Sequence, residues 1–250
     1  MSSAGWLQPA EAAAEADLRL LLFPPAGAGG TVFRDWFGLL PRDVAAQVVT
    51  LPGRLDRRSE PAHTDFGVLV DALWAGLEPE LDGRPYAFFG HSMGAMIAYA
   101  LTQAIEREGA DPPVLLAASA WAPVGFARPT VEHARQPEPG LIAWLRDTGS
   151  LPEEIIADPG ALAMVLPALR ADLELCADYT DDDTVIDCPV VTYSGRLDPL
   201  LAPGAMDSWA PRTAKHLGHR EFPGHHFYLI DHTIGVVTDV AGNLRAAARP

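Results

Sequence analysis

Positive charge is scarce in this chain of 250 residues: 18 Lys and Arg stand against 33 Asp and Glu, for a formal net charge of −15. A protein this acidic has no general electrostatic attraction for nucleic acid or an anionic membrane, and neither is expected as a partner. Cysteine is scarcer still. Cys176 and Cys188 are the only two, too few for a disulfide framework, and neither has a second ligand at metal spacing. Free thiols in a reducing compartment are expected. No stretch of about 18 uninterrupted apolar residues occurs, so no membrane span is expected. Met1 to Glu15 has neither the basic start nor the apolar run of a signal peptide. It reads as a small-residue, acidic, loosely held leader on a soluble, cytoplasmic protein.

Apolar residues make up 48% of the chain, enough for a large core, and the length suits one domain over 1–250. Short apolar runs that stop at Pro or Gly alternate with segments of helical spacing. Strands are expected at 17–23, ended by Pro24-Pro25, at 46–51, ended by Pro52-Gly53, at 85–90 and at 114–120. Helices are expected at 66–81 and 93–108, with a further helix start at 32–40. This alternation predicts an α/β fold, a mostly parallel sheet covered on both faces. From Pro123 to Asp187 no strand pattern appears, and 141–145 and 155–179 look helical. A connection this long is an insertion. The core is therefore assigned to about 16–123 and 188–250, with a helical lid over about 124–187. Strands at 188–194 and 219–222, a short helix at 203–209 and a closing helix at 227–247 complete the pattern.

The strongest local signal is Gly90-His91-Ser92-Met93-Gly94, a G-x-S-x-G entered by a strand and left by a helix. That is the setting of a nucleophile elbow, where a serine occupies a sharp turn and needs small neighbours. It points to the α/β-hydrolase fold, whose triad runs Ser, then Asp or Glu, then His along the chain. Asp198 follows the strand ending at Ser194 and is the expected acid; Glu221 and Asp207 are less well placed. The loop before the closing helix carries His225 and His226. His226 is taken as the base and His225 as the alternative. The oxyanion donors are expected to be the N–H of Met93 and, from the loop Pro24 to Gly30, the N–H of Ala26, with Gly27 as alternative. His91 reads as a support, and His216 and His219 as surface residues before the last strand. Gly27-Ala28-Gly29 is no dinucleotide fingerprint, because Val32 stands where the last glycine belongs.

Taken together, the ordered motifs resemble the type II thioesterases of polyketide and nonribosomal peptide synthesis. They include Phe23-Pro24-x-Ala26-Gly27, Phe33-Arg34-x-Trp36, Leu51-Pro52-Gly53-Arg54 with Asp56-Arg57, and Phe89 to Ala95. Further on come Leu169-Arg170-Ala171-Asp172, Asp187-Cys188-Pro189-Val190, Asp198-Pro199 and Phe222-Pro223-Gly224-x-His226-Phe227. The resemblance implies a free-standing, monomeric serine hydrolase that needs no metal or cofactor. It would clear aberrant or stalled short acyl groups from the phosphopantetheine arm of an acyl or peptidyl carrier protein. Pro25 and Trp121-Ala122-Pro123 depart from the family pattern and bear on pocket shape.

Within the insertion, Leu141, Trp144, Leu145, Met164 and Leu169 are candidate chamber residues or lid packing. Arg54, Arg57 and Arg58 form a basic run, read as a solvated loop or as a contact for the arm's phosphate or an acidic carrier. Asp181-Asp182-Asp183 reads as a solvated lid edge. A general carboxylesterase with the same triad, or a binding protein on the same fold, are the competing readings.

Overall fold

The computed structural model describes residues 5–249. The strands are β1 (Leu7–Gln8), β2 (Leu18–Phe23), β3 (Val44–Val49), β4 (Tyr86–His91), β5 (Leu115–Ser119), β6 (Val190–Gly195) and β7 (His216–Phe222). They form one sheet in the order β1-β3-β2-β4-β5-β6-β7. β1 is antiparallel to β3 and all other pairs are parallel. β2 to β6 are buried along their whole length, as parallel strands covered on both faces must be. The result is the mostly parallel, helix-flanked α/β-hydrolase sheet that the alternation predicts.

One face is covered by α2 (Phe66–Leu77) and α3 (Met93–Arg107). α3 turns Met96, Ile97, Leu101 and Ile105 inward, and Gly109 (φ 72°) ends it with a left-handed residue. The other face is covered by α1 (Trp36–Leu39), the short α8 (Tyr228–Asp231) and α9 (Thr233–Ala247). α9 packs Val236, Val237, Val240 and Leu244 onto Phe89 and Tyr193 of the sheet. The closing helix expected at 227–247 is thus two helices.

Between β5 and β6 lie α4 (Val131–Arg135), α5 (Glu138–Thr148), α6 (Glu153–Ala157) and α7 (Pro159–Asp178). These four share their own apolar cluster, with Leu141 and Leu145 fully buried. The single helix expected over 155–179 is broken at Asp158. Its carboxylate accepts from the N–H groups of Gly160 and Ala161 at 2.8 and 3.2 Å, and Pro159 takes the first helical position. α7 bridges two cores. Leu162, Leu166 and Leu169 belong to the insertion, while Leu175 and Cys176 join the main core.

Several expectations change. The leader is not wholly loose: Leu7 and Gln8 pair with Val49 and Val48 as an edge strand, and Trp6 lies 4.0 Å from the Arg57 guanidinium. Residues 1–4 of that leader fall outside the described residues. β7 starts at His216, so His216 and His219 lie within it. Both ring nitrogens of His219 are engaged: Nδ1 is 3.1 Å from Thr192 Oγ1 and Nε2 is 3.1 Å from Ser194 Oγ. At Asp181-Asp182-Asp183 the last two residues are exposed, as expected, and Arg212 adds an ion pair to Asp181 at 2.7 Å and a contact to Asp183. Cys176 and Cys188 are buried, free thiols. No helix among the described residues is long and apolar enough to cross a membrane.

α3 starts against the end of β2. A Cβ on Gly94 would stand 2.0 Å from the carbonyl oxygen of Phe23, which is backbone and cannot swing away. By contrast, Gly242 lies exposed in α9 with nothing near it. Gly94→Ala should lower the melting temperature by about 5–10 °C, or prevent folding, as overpacking against backbone does. Gly242→Ala should raise it by about 2 °C through helix propensity. Thermal unfolding followed by circular dichroism checks both, and an unchanged Gly94→Ala would contradict the packing described.

Candidate active site

Ser92 joins β4 to α3 with φ 55° and ψ −119°, a conformation that costs a non-glycine residue about 1–3 kcal/mol. Two glycines make the turn possible. A Cβ on Gly90 would lie 2.3 Å from the Gly94 carbonyl oxygen, so the strand and helix touch backbone to backbone there. The N–H of Ser92 is held by Ser119 O at 2.8 Å, which ties the turn to β5.

In a parallel sheet every strand ends on the same edge. Ser92 follows β4, Asp198 follows β6 and His226 follows β7, so all three stand at one edge. His226 Nδ1 lies 2.8 Å from Asp198 Oδ2, with both side chains buried. The other carboxylate oxygen, Oδ1, accepts from Leu200 N–H at 3.0 Å. An Nδ1–H that donates to a carboxylate leaves the Nε2 lone pair free as a base. Gly195 brings the two loops together, since a Cβ there would stand 2.1 Å from His225 O. The neighbouring histidine is turned elsewhere: His225 is exposed and its Nδ1 faces Leu197 O at 3.0 Å. Glu221 lies in β7, paired with Arg196, and Asp207 lies on a 3-10 helix over Ala205–Arg212.

Met93 is the first residue of α3, so its N–H has no intrahelical acceptor. Ala26 N–H also makes no hydrogen bond among the described residues, whereas Gly27 N–H is committed to Asp172 Oδ2 at 2.7 Å. Of the two loop alternatives, the free donor is therefore Ala26.

His91, expected as a support, has partners that lie beyond what local sequence shows. Its ring is fully buried, 5.1 Å from the His226 ring between centroids. Nδ1 is 2.8 Å from Ser119 Oγ, which is 2.6 Å from Tyr228 OH. Burial, reinforced by the proximity of His226, holds the His91 pKa well below the ordinary histidine range, so the ring is neutral. Ser119 and Tyr228 carry no motif; the register of β5 against β4 sets Ser119 opposite His91, and Tyr228 reaches it from α8.

Ser92 lines a small, mainly apolar cavity of about 30 Å³ with Trp121, Trp144 and Leu169. That is room for roughly one or two water-sized groups. On the other side of Ala26 opens a groove of about 670 Å³, bounded by the Gly27–Gly29 loop, Leu55, Arg58 and α6–α7. Of the expected chamber residues, Trp144 and Leu169 face the cavity, Leu141 and Leu145 pack the insertion, and Met164 is 79% exposed beside the groove. The basic run divides likewise. Arg54 is buried on Asp172, and Arg57 is buried, bonding Thr50 O and Glu60. Arg58 alone is exposed. Neither a uniformly solvated loop nor a three-arginine contact describes it. No cluster of metal-ligating side chains occurs among the described residues.

The thioesterase domain family matches residues 18–247. The gramicidin S biosynthesis protein GrsT of Aneurinibacillus migulanus is 29% identical, over 98% of this chain and 96% of that relative. Among solved structures, the RedJ thioesterase of the prodiginine pathway in Streptomyces coelicolor superposes with a TM-score of 0.82 and 32% identity, covering 92% of this chain and 86% of RedJ. The type II thioesterase BorB of the borrelidin cluster superposes with a TM-score of 0.83 and 29% identity, over 96% and 97% of the two chains. With the family matched along almost its whole length, this chain belongs to the thioesterase domain family.

Proposed function

We propose that this chain is a free-standing type II thioesterase that hydrolyses short acyl groups from the phosphopantetheine arm of a carrier protein in polyketide or nonribosomal peptide synthesis. The observation that carries the reading is the strained Ser92 on the same sheet edge as the buried Asp198–His226 pair. In the proposed route, Ser92 Oγ adds to the thioester carbonyl carbon while its proton passes to His226 Nε2. The carbonyl π pair moves to oxygen, which is held by the N–H groups of Met93 and Ala26. Collapse expels the thiol of the arm, which takes the proton from His226. Water then gives a proton to His226 and attacks the acyl-serine, and the acid leaves as Ser92 regains its proton. No step in this route calls for a metal or cofactor.

Ala26 borders both spaces, so a thioester carbonyl there places its acyl end in the small cavity and its arm in the groove. A cavity of about 30 Å³ fits a short acyl group such as acetyl or propionyl. Trp121, 1% exposed and packed among Tyr99, Tyr179 and Trp209, forms a rigid wall of it. Arg58 stands at the groove as the exposed cation for the arm's phosphate.

Acetyl- and propionyl-loaded carrier protein, followed by intact mass, tests the reading against matched oxygen esters. Wild type should strip both carriers and favour thioesters. Ser92→Ala and His226→Ala should each lose about 10³-fold or more in rate, and His225→Ala less than about tenfold. Equal losses in the two histidine variants would contradict the assignment, and an equal preference for oxygen esters would favour a carboxylesterase.

Trp121→Leu should shift the preference toward longer acyl chains, measured as kcat/KM from acetyl to octanoyl. An unchanged profile would remove Trp121 from the cavity wall. Arg58→Glu should raise KM for carrier-bound acyl groups by about tenfold, the scale of one lost charge contact. KM for a small acyl thioester without the phosphate should stay unchanged, and equal effects on both would sink the phosphate contact.

A further inference from the structure

The loop that supplies Ala26 is not anchored by the sheet alone. Ala28 N–H donates to Pro25 O at 3.1 Å, and Gly27 has φ 71°. A four-residue turn with a left-handed glycine at its third position is a type II turn, and it leaves Ala26 at the second. That turn sits directly on α7. A Cβ on Gly27 would lie 3.0 Å from Leu169 Cβ and 3.1 Å from Val165 Cγ1. Asp172 follows one helical turn after Leu169 on the same face.

Asp172 is 1% exposed, and its carboxylate closes a four-contact junction. Oδ2 accepts from Gly27 N–H at 2.7 Å and from Arg54 Nη1 at 2.9 Å, and Oδ1 accepts from Arg54 Nη2 at 2.5 Å. Arg54 Nη1 also donates to Ala28 O at 3.2 Å. The carboxylate and the guanidinium thus hold the second half of the turn, at Gly27 N–H and Ala28 O. The peptide unit between Ala26 and Gly27 is fixed by the Gly27 N–H bond, while Ala26, whose N–H makes no hydrogen bond among the described residues, borders the cavity with Ser92. Ser92, Ala26, Leu169 and Leu173 share the small cavity, so the helix that walls the acyl group also holds the loop.

We propose that Asp172, locked by Arg54, is a positioning residue for the oxyanion loop, so that Ala26 N–H is set for catalysis only while α7 is docked. Neither side chain touches the reacting atoms; both act through the Gly27 turn. The inference rests on the thioesterase reading above.

The test uses the full chain, with rates expressed per active Ser92 after titration with a fluorophosphonate. Two readouts are taken: kcat and KM on an acetyl thioester, and the inhibition constant of an acyl-chain trifluoromethyl ketone. Its adduct with Ser92 carries the oxyanion. Asp172→Ala should lower kcat about 10²-fold, the scale of one lost oxyanion donor, with KM within twofold. It should weaken the ketone by a similar factor. Asp172→Asn, which keeps an acceptor for Gly27 N–H, should recover at least tenfold of both losses. Should Asp172→Ala fail to fold, Arg54→Lys decides, with kcat and ketone affinity falling together by about tenfold.

A purely structural role would reduce the titratable Ser92 and leave both per-site readouts unchanged. That result in Asp172→Ala or Arg54→Lys overturns the inference while the thioesterase reading stands. A wild type that leaves the acetyl thioester intact overturns that reading and the inference with it.

Discussion

The site depends on one close approach, where the start of α3 meets the end of β2 backbone to backbone at Gly94. No side chain fits between Gly94 and the Phe23 carbonyl, so the helix N-terminus behind Ser92 stands directly against the strand that feeds the loop of Ala26. Gly90 performs the same service on the strand side of the turn, and Gly195 draws the His226 loop onto the end of β6. The strain at Ser92, about 1–3 kcal/mol, is held by this packing and by the hydrogen bond from its N–H to Ser119 O. A parallel sheet then carries the Asp198–His226 pair to the same edge without a special device.

A second constraint comes from the insertion. Its helices are not simply laid over the edge, because α7 contributes to the main core at Leu175 and Cys176 and to the insertion core at Leu162 and Leu166. The Arg54–Asp172 pair adds a charged bond between body and insertion in a buried place. Removing one partner of such a pair typically costs about 3–5 kcal/mol, because the other is left charged and unmatched. The same helix therefore lines the cavity beside Ser92, holds the Gly27 turn and joins the insertion to the body.

Much of this was legible in the chain itself, for local reasons. Strand β2 ends at Pro24-Pro25, β3 ends at Val49 just before Pro52-Gly53, and the elbow announces itself by its glycines. The order Ser92, Asp198, His226 followed from strand-then-loop positions alone. The missing parts depend on distant partners. Arg54 and Asp172 are 118 residues apart, and an arginine in a basic run looks solvated until its partner is seen. β1 is two residues long and exists only because β3 offers an open edge. β7 mixes half-buried and exposed positions without a regular alternation or a buried residue, so its first histidines carry no strand pattern. Ala26 is the donor expected from the sequence, but the bond that commits Gly27 N–H elsewhere comes from Asp172, 145 residues away.

The central claim is that Ser92 carries the acyl group through a covalent intermediate. Rapid mixing with acetyl-loaded carrier protein, acid quench and peptide mass analysis test it most directly. The account predicts a transient gain of one acetyl group on the peptide containing Ser92, located to that serine by fragmentation and absent in Ser92→Ala. Release of acetate by Ser92→Ala at the wild-type rate, or an acetyl group located on another residue, would contradict it.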